Sequence, residues 1–221
     1  MVEFIFFLTH SDATIHNALD VFEEIKDIGV KYVGFKDVGL PMERLRKLRD
    51  LIREANKISV LEVVSATKED NVRAAKTGRE LDVDYLIGGT YFEEVLPLLK
   101  GTEIKCFPYI GKIVSHPCLQ RGTIEEICED ARRVEKLGAD GIDLLSYRYD
   151  GDPAQLTMAV KDAVDIPIIV AGSISSFEQI RKMVELGVWG FTIGSAILDR
   201  KFVAGGSVRD QVEAVLKEIE F

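Results

Sequence analysis

The chain has 221 residues, 47% of them hydrophobic and 29% charged, and a formal net charge of −9. Such a composition fits a globular chain with a core of its own, and its acidic surface repels phosphate backbones, which argues against nucleic-acid partners. No apolar run reaches the length of a membrane span. The three cysteines (Cys106, Cys118 and Cys128) are odd in number and lack metal-ligand spacing, so a reducing, cytoplasmic setting is expected.

The apolar start MVEFIFFLTH meets a polar cluster after Leu8 and is too short for a signal core. From there, β-branched or aromatic runs recur along the chain: EFIFFLT, YVGFK, SVLEVVS, DYLIGG, IKCFPYI, GIDLLSY, IPIIVAG and GFTIG. Between them lie stretches with apolar residues at helical spacing, such as ALDVFEEIKDIG, MERLRKLRDLIREAN and TIEEICEDARRVEKLG. Gly29, Gly138 and Gly187 read as helix stops, and Thr123 with Glu126 as a capping box. Eight strands alternating with eight helices predict an α/β fold with a parallel sheet, and the near-continuous apolar strands predict that both faces are covered. That many repeats in this length fit a single (β/α)8 barrel over residues 1–221. An open doubly wound sheet is the rival. It favours a glycine fingerprint after its first strand, where this chain has THSDATIHN.

Barrel active sites lie at the C-terminal strand ends. The candidates are then Thr9, His10 and Asp12; Lys36 and Asp37; Glu62 and Ser65; Gly88, Gly89 and Thr90; Lys112, His116 and Arg121; Asp143, Ser146, Tyr147 and Arg148; Gly172 and Ser173; and Gly194 and Ser195. Asp12 reads as a turn or cap residue beyond the first strand. Asp143, inside an apolar strand, needs a partner if it is charged. In IIVAGSISSFEQI and GFTIGSAI a strand runs through a Gly-Ser turn into a helix start. Glycine admits close approach, and free N–H groups at a helix start favour an anion. SAILDRKF reads as a short extra helix, with SVRDQVEAVLKEI as the last outer one.

With these turns, Ile166 to Phe202 resembles the phosphate-binding TIM barrels, including the ribulose-phosphate-binding group and the phosphoribosyl isomerases of histidine biosynthesis; the rest of the chain is similar in architecture. The resemblance implies that Gly172, Ser173, Gly194 and Ser195 hold a substrate phosphate. Laying ISVLEVVSATKEDNVRAAKTGRELDVDYLIGGT beside IPIIVAGSISSFEQIRKMVELGVWGFTIGSA matches Ser65 with Ser173 and IGGT with IGSA. A second anion site at Ser65 and Gly88–Thr90 would follow, as in the histidine-pathway isomerases, whose substrate carries two phosphates. GFKDVG resembles the lysine-and-aspartate strand ends of the phosphate-barrel decarboxylases, but Gly34 stands where their aspartate should be, and the motif lies on strand two rather than three. The strand-one aspartate of the isomerases is likewise replaced by Thr9 and His10.

Lys36 and Glu62, on neighbouring strands, are the expected catalytic pair, with His116 as a proton-transfer group in the long segment PYIGKIVSHPCLQRGT. Lys112 and Arg148 join the phosphate-binding set as cations for an anionic ligand. A divalent metal on Asp37, Glu62 and Asp143 is conceivable, but spacing does not require one; no cofactor is expected. The function predicted is an isomerase or carbon–carbon lyase acting on a small phosphorylated sugar or sugar-like metabolite, with a homo-oligomer compatible. The alternative is a non-catalytic sensing barrel resembling the glycerol-phosphate-responsive antiterminators. A flavin-dependent barrel ranks third, because the early loops are too short to enclose the ring system.

Overall fold

A computed structural model describes residues 2–63, 67–115 and 117–220. Eight strands line the barrel: β1 (Glu3–Phe7), β2 (Tyr32–Lys36), β3 (Ile58–Val63), β4 (Tyr85–Gly88), β5 (Lys105–Phe107), β6 (Ile142–Leu144), β7 (Ile168–Val170) and β8 (Gly190–Ile193). They run in the order β6-β7-β8-β1-β2-β3-β4-β5 with parallel pairing throughout. The two edges meet through a bridge between Tyr109 and Asp143, where Asp143 N donates to Pro108 O at 3.0 Å. The sheet is thus closed, as the alternating sequence predicts, and the open doubly wound sheet is ruled out.

Around it lie α1 (Ala18–Ile25), α2 (Met42–Glu54), α3 (Lys68–Leu81), α4 (Phe92–Leu99), α5 (Ile124–Leu137), α6 (Pro153–Ala163), α7 (Phe177–Leu186), the short α8 (Ser195–Leu198) and α9 (Val208–Ile219). The capping box at Thr123 and Glu126 forms. Gly138 and Gly187 take left-handed φ values of 96° and 59° as C-caps, which glycine adopts without a Cβ penalty. Gly29 does not stop α1. The helix ends at Ile25 with Lys26 as its C-cap, and Ile28 N closes the following turn on Ile25 O.

Strand periodicity divides the apolar residues between two cores. Outward-facing Phe4, Phe6, Val33, Phe35, Leu61, Leu86, Leu144 and Phe191 pack under the helices. Inward-facing Ile5, Phe7, Tyr32, Val60, Ile87, Phe107 and Ile169 fill the barrel. At the N-terminal strand ends, Tyr32, Tyr85, Phe107 and Trp189 form an aromatic plug, with ring centroids 5.4–6.0 Å apart. Inward-facing Gly34 is paired with Phe7, and a Cβ built on it would sit 2.5 Å from that ring. The aspartate of the decarboxylases therefore has no room here, because the Phe7 ring occupies the space. Above this apolar layer the lining turns polar.

Two antiparallel hairpins decorate the C-terminal end. Thr9–His10 pairs with Ala13–Thr14, and Lys112–Val114 with Leu119–Arg121. The second replaces the long loop expected after β5, and its Cys118 is buried with Tyr109, Leu145 and Ala171.

Candidate active site

Lys36 closes β2 with its side chain inside the barrel, and the residue is only 4% exposed. An isolated ammonium at that depth is costly, so it needs anionic partners. Its register neighbour across the sheet is Glu62, whose Oε2 lies 3.2 Å from Lys36 Nζ. The second partner is Asp12, whose Oδ1 accepts from Lys36 Nζ at 2.9 Å.

Asp12 is more than the turn residue expected from sequence. Ser11 and Asp12 both have positive φ, 48° and 57°, and form the two-residue loop of the first hairpin. Two consecutive positive φ values are what a type I′ hairpin turn requires, and aspartate tolerates them better than most residues. The hairpin folds back onto β2, where Thr14 Oγ1 donates to Lys36 O and accepts from Lys36 N, both at 2.8 Å. The clamp that fixes the lysine backbone thereby delivers a carboxylate to its ammonium. A Ser-Asp pair straight after an apolar strand is the sequence signal that reveals this turn.

The electrostatics follow from the packing. Burial lowers the Lys36 pKa, but the charges of Glu62 and Asp12 outweigh it, and the net shift is upward. The Tyr109 hydroxyl donates to Glu62 Oε1 at 2.8 Å and fixes the carboxylate from the opposite side. Tyr109 escapes sequence reading because it sits in the apolar run IKCFPYI, two residues past the end of β5. Asp143 lies behind this group, fully buried, and neither carboxyl oxygen has a hydrogen-bond partner among the described residues. Burial and then the nearby charge of Glu62 push its pKa well above the ordinary carboxylate range, against the pull of Lys36 and Arg148. Among the described residues nothing donates a hydrogen bond to Asp143, so burial works unopposed by any such bond to raise its pKa.

A cavity of about 220 Å³ opens above Lys36 and Glu62. It is lined by Phe7, Thr9, Asp12, Lys36 and Glu62 together with Arg148, Gly172, Ser173, Ile174, Ser175, Gly194, Ser195, Ala196 and Lys201. Gly172 has φ +110°, and a Cβ there would approach the Arg148 backbone N to 3.3 Å. Glycine is required at this turn by conformation and by close approach together. Gly194 leaves room for Thr9, whose carbonyl oxygen would lie 3.0 Å from an added Cβ. Ser195 and Ala196 begin α8, so their N–H groups have no intrahelical acceptor. Lys201, just past α8, adds a further cation to the lining and was not singled out by sequence.

Of the residues predicted for the site, Lys36, Glu62, Arg148, Gly172, Ser173, Gly194 and Ser195 all line this one cavity. Lys112 does not: it is an exposed residue of the second hairpin. His116 and Ser65 lie outside the described residues. His10 is exposed, with Nε2 3.1 Å from Asp199 Oδ1. Asp37 faces away from Lys36 toward Arg73, whose Nε lies 3.6 Å from Asp37 Oδ2, so Asp37, Glu62 and Asp143 do not converge. Among the described residues no group of three or more His, Cys, Asp or Glu side chains is placed to hold a metal ion. No helix among them is long and apolar enough to cross a membrane.

Fold and cavity together describe a (β/α)8 barrel with a polar cavity at the C-terminal strand ends. No family model matches the chain. The imidazole glycerol phosphate synthase subunit HisF of Thermococcus onnurineus is 24% identical over 212 residues, spanning 77% of this chain and 83% of that protein. An imidazole-4-carboxamide isomerase of Methanocorpusculum labreanum is 32% identical over 71 residues, 30% of either chain. Among solved structures, orotidine 5'-phosphate decarboxylase of Pyrococcus horikoshii superposes with a TM-score of 0.72 at 16% identity, covering 99% of both chains. The phosphoribosylanthranilate isomerase of Thermotoga maritima gives 0.64 at 16% identity, covering 100% of this chain and 99% of that one. At such identities the solved structures speak for the fold alone. The relatives support membership of the phosphate-binding TIM-barrel superfamily and single out no member of it.

Proposed function

We propose that the chain is an enzyme that moves a proton on a small phosphorylated sugar or sugar-like substrate, in isomerase or carbon–carbon lyase chemistry. The observation that carries this reading is convergence: Lys36 and Glu62 line the same cavity as the Gly172 and Gly194 turns. The phosphate seats against these turns, with Arg148 and Lys201 as counter-charges. The carbon chain then extends toward Lys36 and Glu62, so phosphate binding positions the reacting carbons. A sensor needs the phosphate wall but no buried ammonium–carboxylate pair facing it, so the convergence favours catalysis over the sensing alternative.

The charge state of Lys36 selects among its roles. Its raised pKa keeps it an ammonium, which is a poor Schiff-base nucleophile and a good partner for oxygen that becomes negative. Glu62, held by Tyr109 on one oxygen and beside Lys36 on the other, serves as the base. In this scheme Glu62 takes a proton from the hydroxyl-bearing carbon beside a carbonyl, Lys36 stabilises the resulting enediolate oxygen, the proton of the neighbouring hydroxyl passes to that oxygen, and the Glu62 carboxyl returns its proton to the former carbonyl carbon.

Incubation with a panel of aldose and ketose phosphates in D2O, followed by NMR, tests the proposal. Deuterium is expected at one carbon of the true substrate. Glu62→Gln should slow the exchange by about 10²–10⁴-fold, and Ser195→Asp should abolish binding by placing a carboxylate in the phosphate seat. A wild-type protein that exchanges no proton of any member and gains no thermal stability from any of them would sink the reading.

A further inference from the structure

The turn after β4 corresponds in sequence to the turn after β8, since IGGT at residues 87–90 lies over IGSA at residues 193–196. If both turns were open, the barrel would offer two anion seats. Among the described residues, the backbone amides of the β4 turn are already taken. Asn71, only 1% exposed, points its Oδ1 into the β4 turn and accepts from Thr90 N at 2.9 Å and Tyr91 N at 3.2 Å. Its Nδ2 donates to Thr67 O at 2.8 Å, which fixes the orientation of the carboxamide. Gly89, with φ +73°, brings its backbone so close to Asn71 Oδ1 that no side chain fits between them. Neither glycine lines the 220 Å³ cavity.

The other half of the barrel carries a different residue at the matching helix position. Asn71 is the fourth residue after the N-cap Thr67 of α3, and the fourth after the N-cap Ser176 of α7 is Ile180. Ile180 is fully buried and has no acceptor to offer the Ser195 and Ala196 amides. A carboxamide oxygen thus stands in one half where the other leaves the amides to a ligand.

We propose that Asn71 is a specificity-determining residue: its carboxamide fills the second anion seat and restricts the substrate to a small sugar or sugar-acid monophosphate, excluding bisphosphates. This rests on the phosphate seat assigned above. The cavity size points the same way, since pockets for drug-sized ligands run to about 300–1,000 Å³ and this one is about 220 Å³.

Calorimetry with inorganic phosphate, ribose 5-phosphate and ribulose 1,5-bisphosphate separates the outcomes. The wild-type protein should bind one equivalent of inorganic phosphate, displaced by the monophosphate, with the bisphosphate no tighter. Asn71→Ser, which shortens the side chain and uncovers the Thr90 and Tyr91 amides, should move the preference by roughly tenfold toward the bisphosphate. Two equivalents of phosphate on the wild type, or a bisphosphate bound roughly tenfold tighter than the monophosphate, overturns this inference while leaving the phosphate seat standing. A folded Asn71→Ser protein with unchanged preference removes the role from Asn71. No binding of any phosphate overturns the seat and the inference together. Should Asn71→Ser fail to fold, the wild-type stoichiometry decides alone.

Discussion

Asp143 illustrates what a single buried side chain does to the whole. Its carboxyl has no hydrogen-bond partner among the described residues, and its pKa is raised, first by burial and then by Glu62. The native state therefore holds a proton that the unfolded chain releases above about pH 4. The native state binds more protons over that window, so stability is full below the unfolded pKa and falls as pH rises toward the folded value, by up to about 1.4 kcal/mol per pH unit. Asp143→Asn keeps the shape and cannot ionise, so its urea midpoint should fall less than that of the wild type between acidic and alkaline buffers. Parallel slopes for the two proteins would show that Asp143 does not carry the proton. Sequence reading identified this residue as needing a partner but not the resolution by protonation, because that depends on Glu62 and on the closure of the barrel above it.

At the scale of elements, the pairing of β1 with β2 governs which residues reach the site. Phe7 and Gly34 are register partners, and the ring of one fills the space the other lacks. Gly34→Ala should cost about 1–3 kcal/mol through overpacking. The cost should shrink in a Phe7→Ala background, since residues in direct contact couple strongly. Denaturant unfolding of the four proteins measures that coupling, and additive effects would refute the steric account. The same pairing explains why the borrowed decarboxylase motif failed at Gly34. The lysine draws its carboxylates from a hairpin turn and from the next strand instead of from two residues upstream. The turn is local chemistry, readable from Ser11 and Asp12 once the hairpin is recognised. The encounter of Asp12 with Lys36 is a tertiary event across 24 positions of sequence, and no local pattern announces it.

For the molecule as a whole, the architecture was legible because it is written in repetition. Apolar strands such as EFIFF and YVGFK, bounded by helices with clear caps, leave few alternatives once counted. The meeting of the two Gly-Ser turns at one cavity was legible for the same reason, since each turn joins a strand to a helix start. The polar group beneath it was only half legible. Lys36 and Glu62 stand at strand ends, where the fold rule points, but Tyr109 and Asn71 hide within an apolar strand run and a helix face. Lys112 misled, because a basic residue near the barrel mouth looks alike whether its hairpin turns inward or outward.

Trp189, the single tryptophan, sits in the plug at the far end of the barrel from Lys36, roughly 13 Å away along β2. Tyr32 and Tyr85 lie 5.4 and 6.0 Å from its ring centroid, so light absorbed by either tyrosine should emerge as indole emission while the barrel stands. The molecule thus carries an optical probe of its own closure, remote from the ligand. Saturating inorganic phosphate should leave the emission maximum in place, while urea should shift it red and uncouple the tyrosines. An emission peak that moves on phosphate addition would reveal that the two ends of the barrel interior respond as one body.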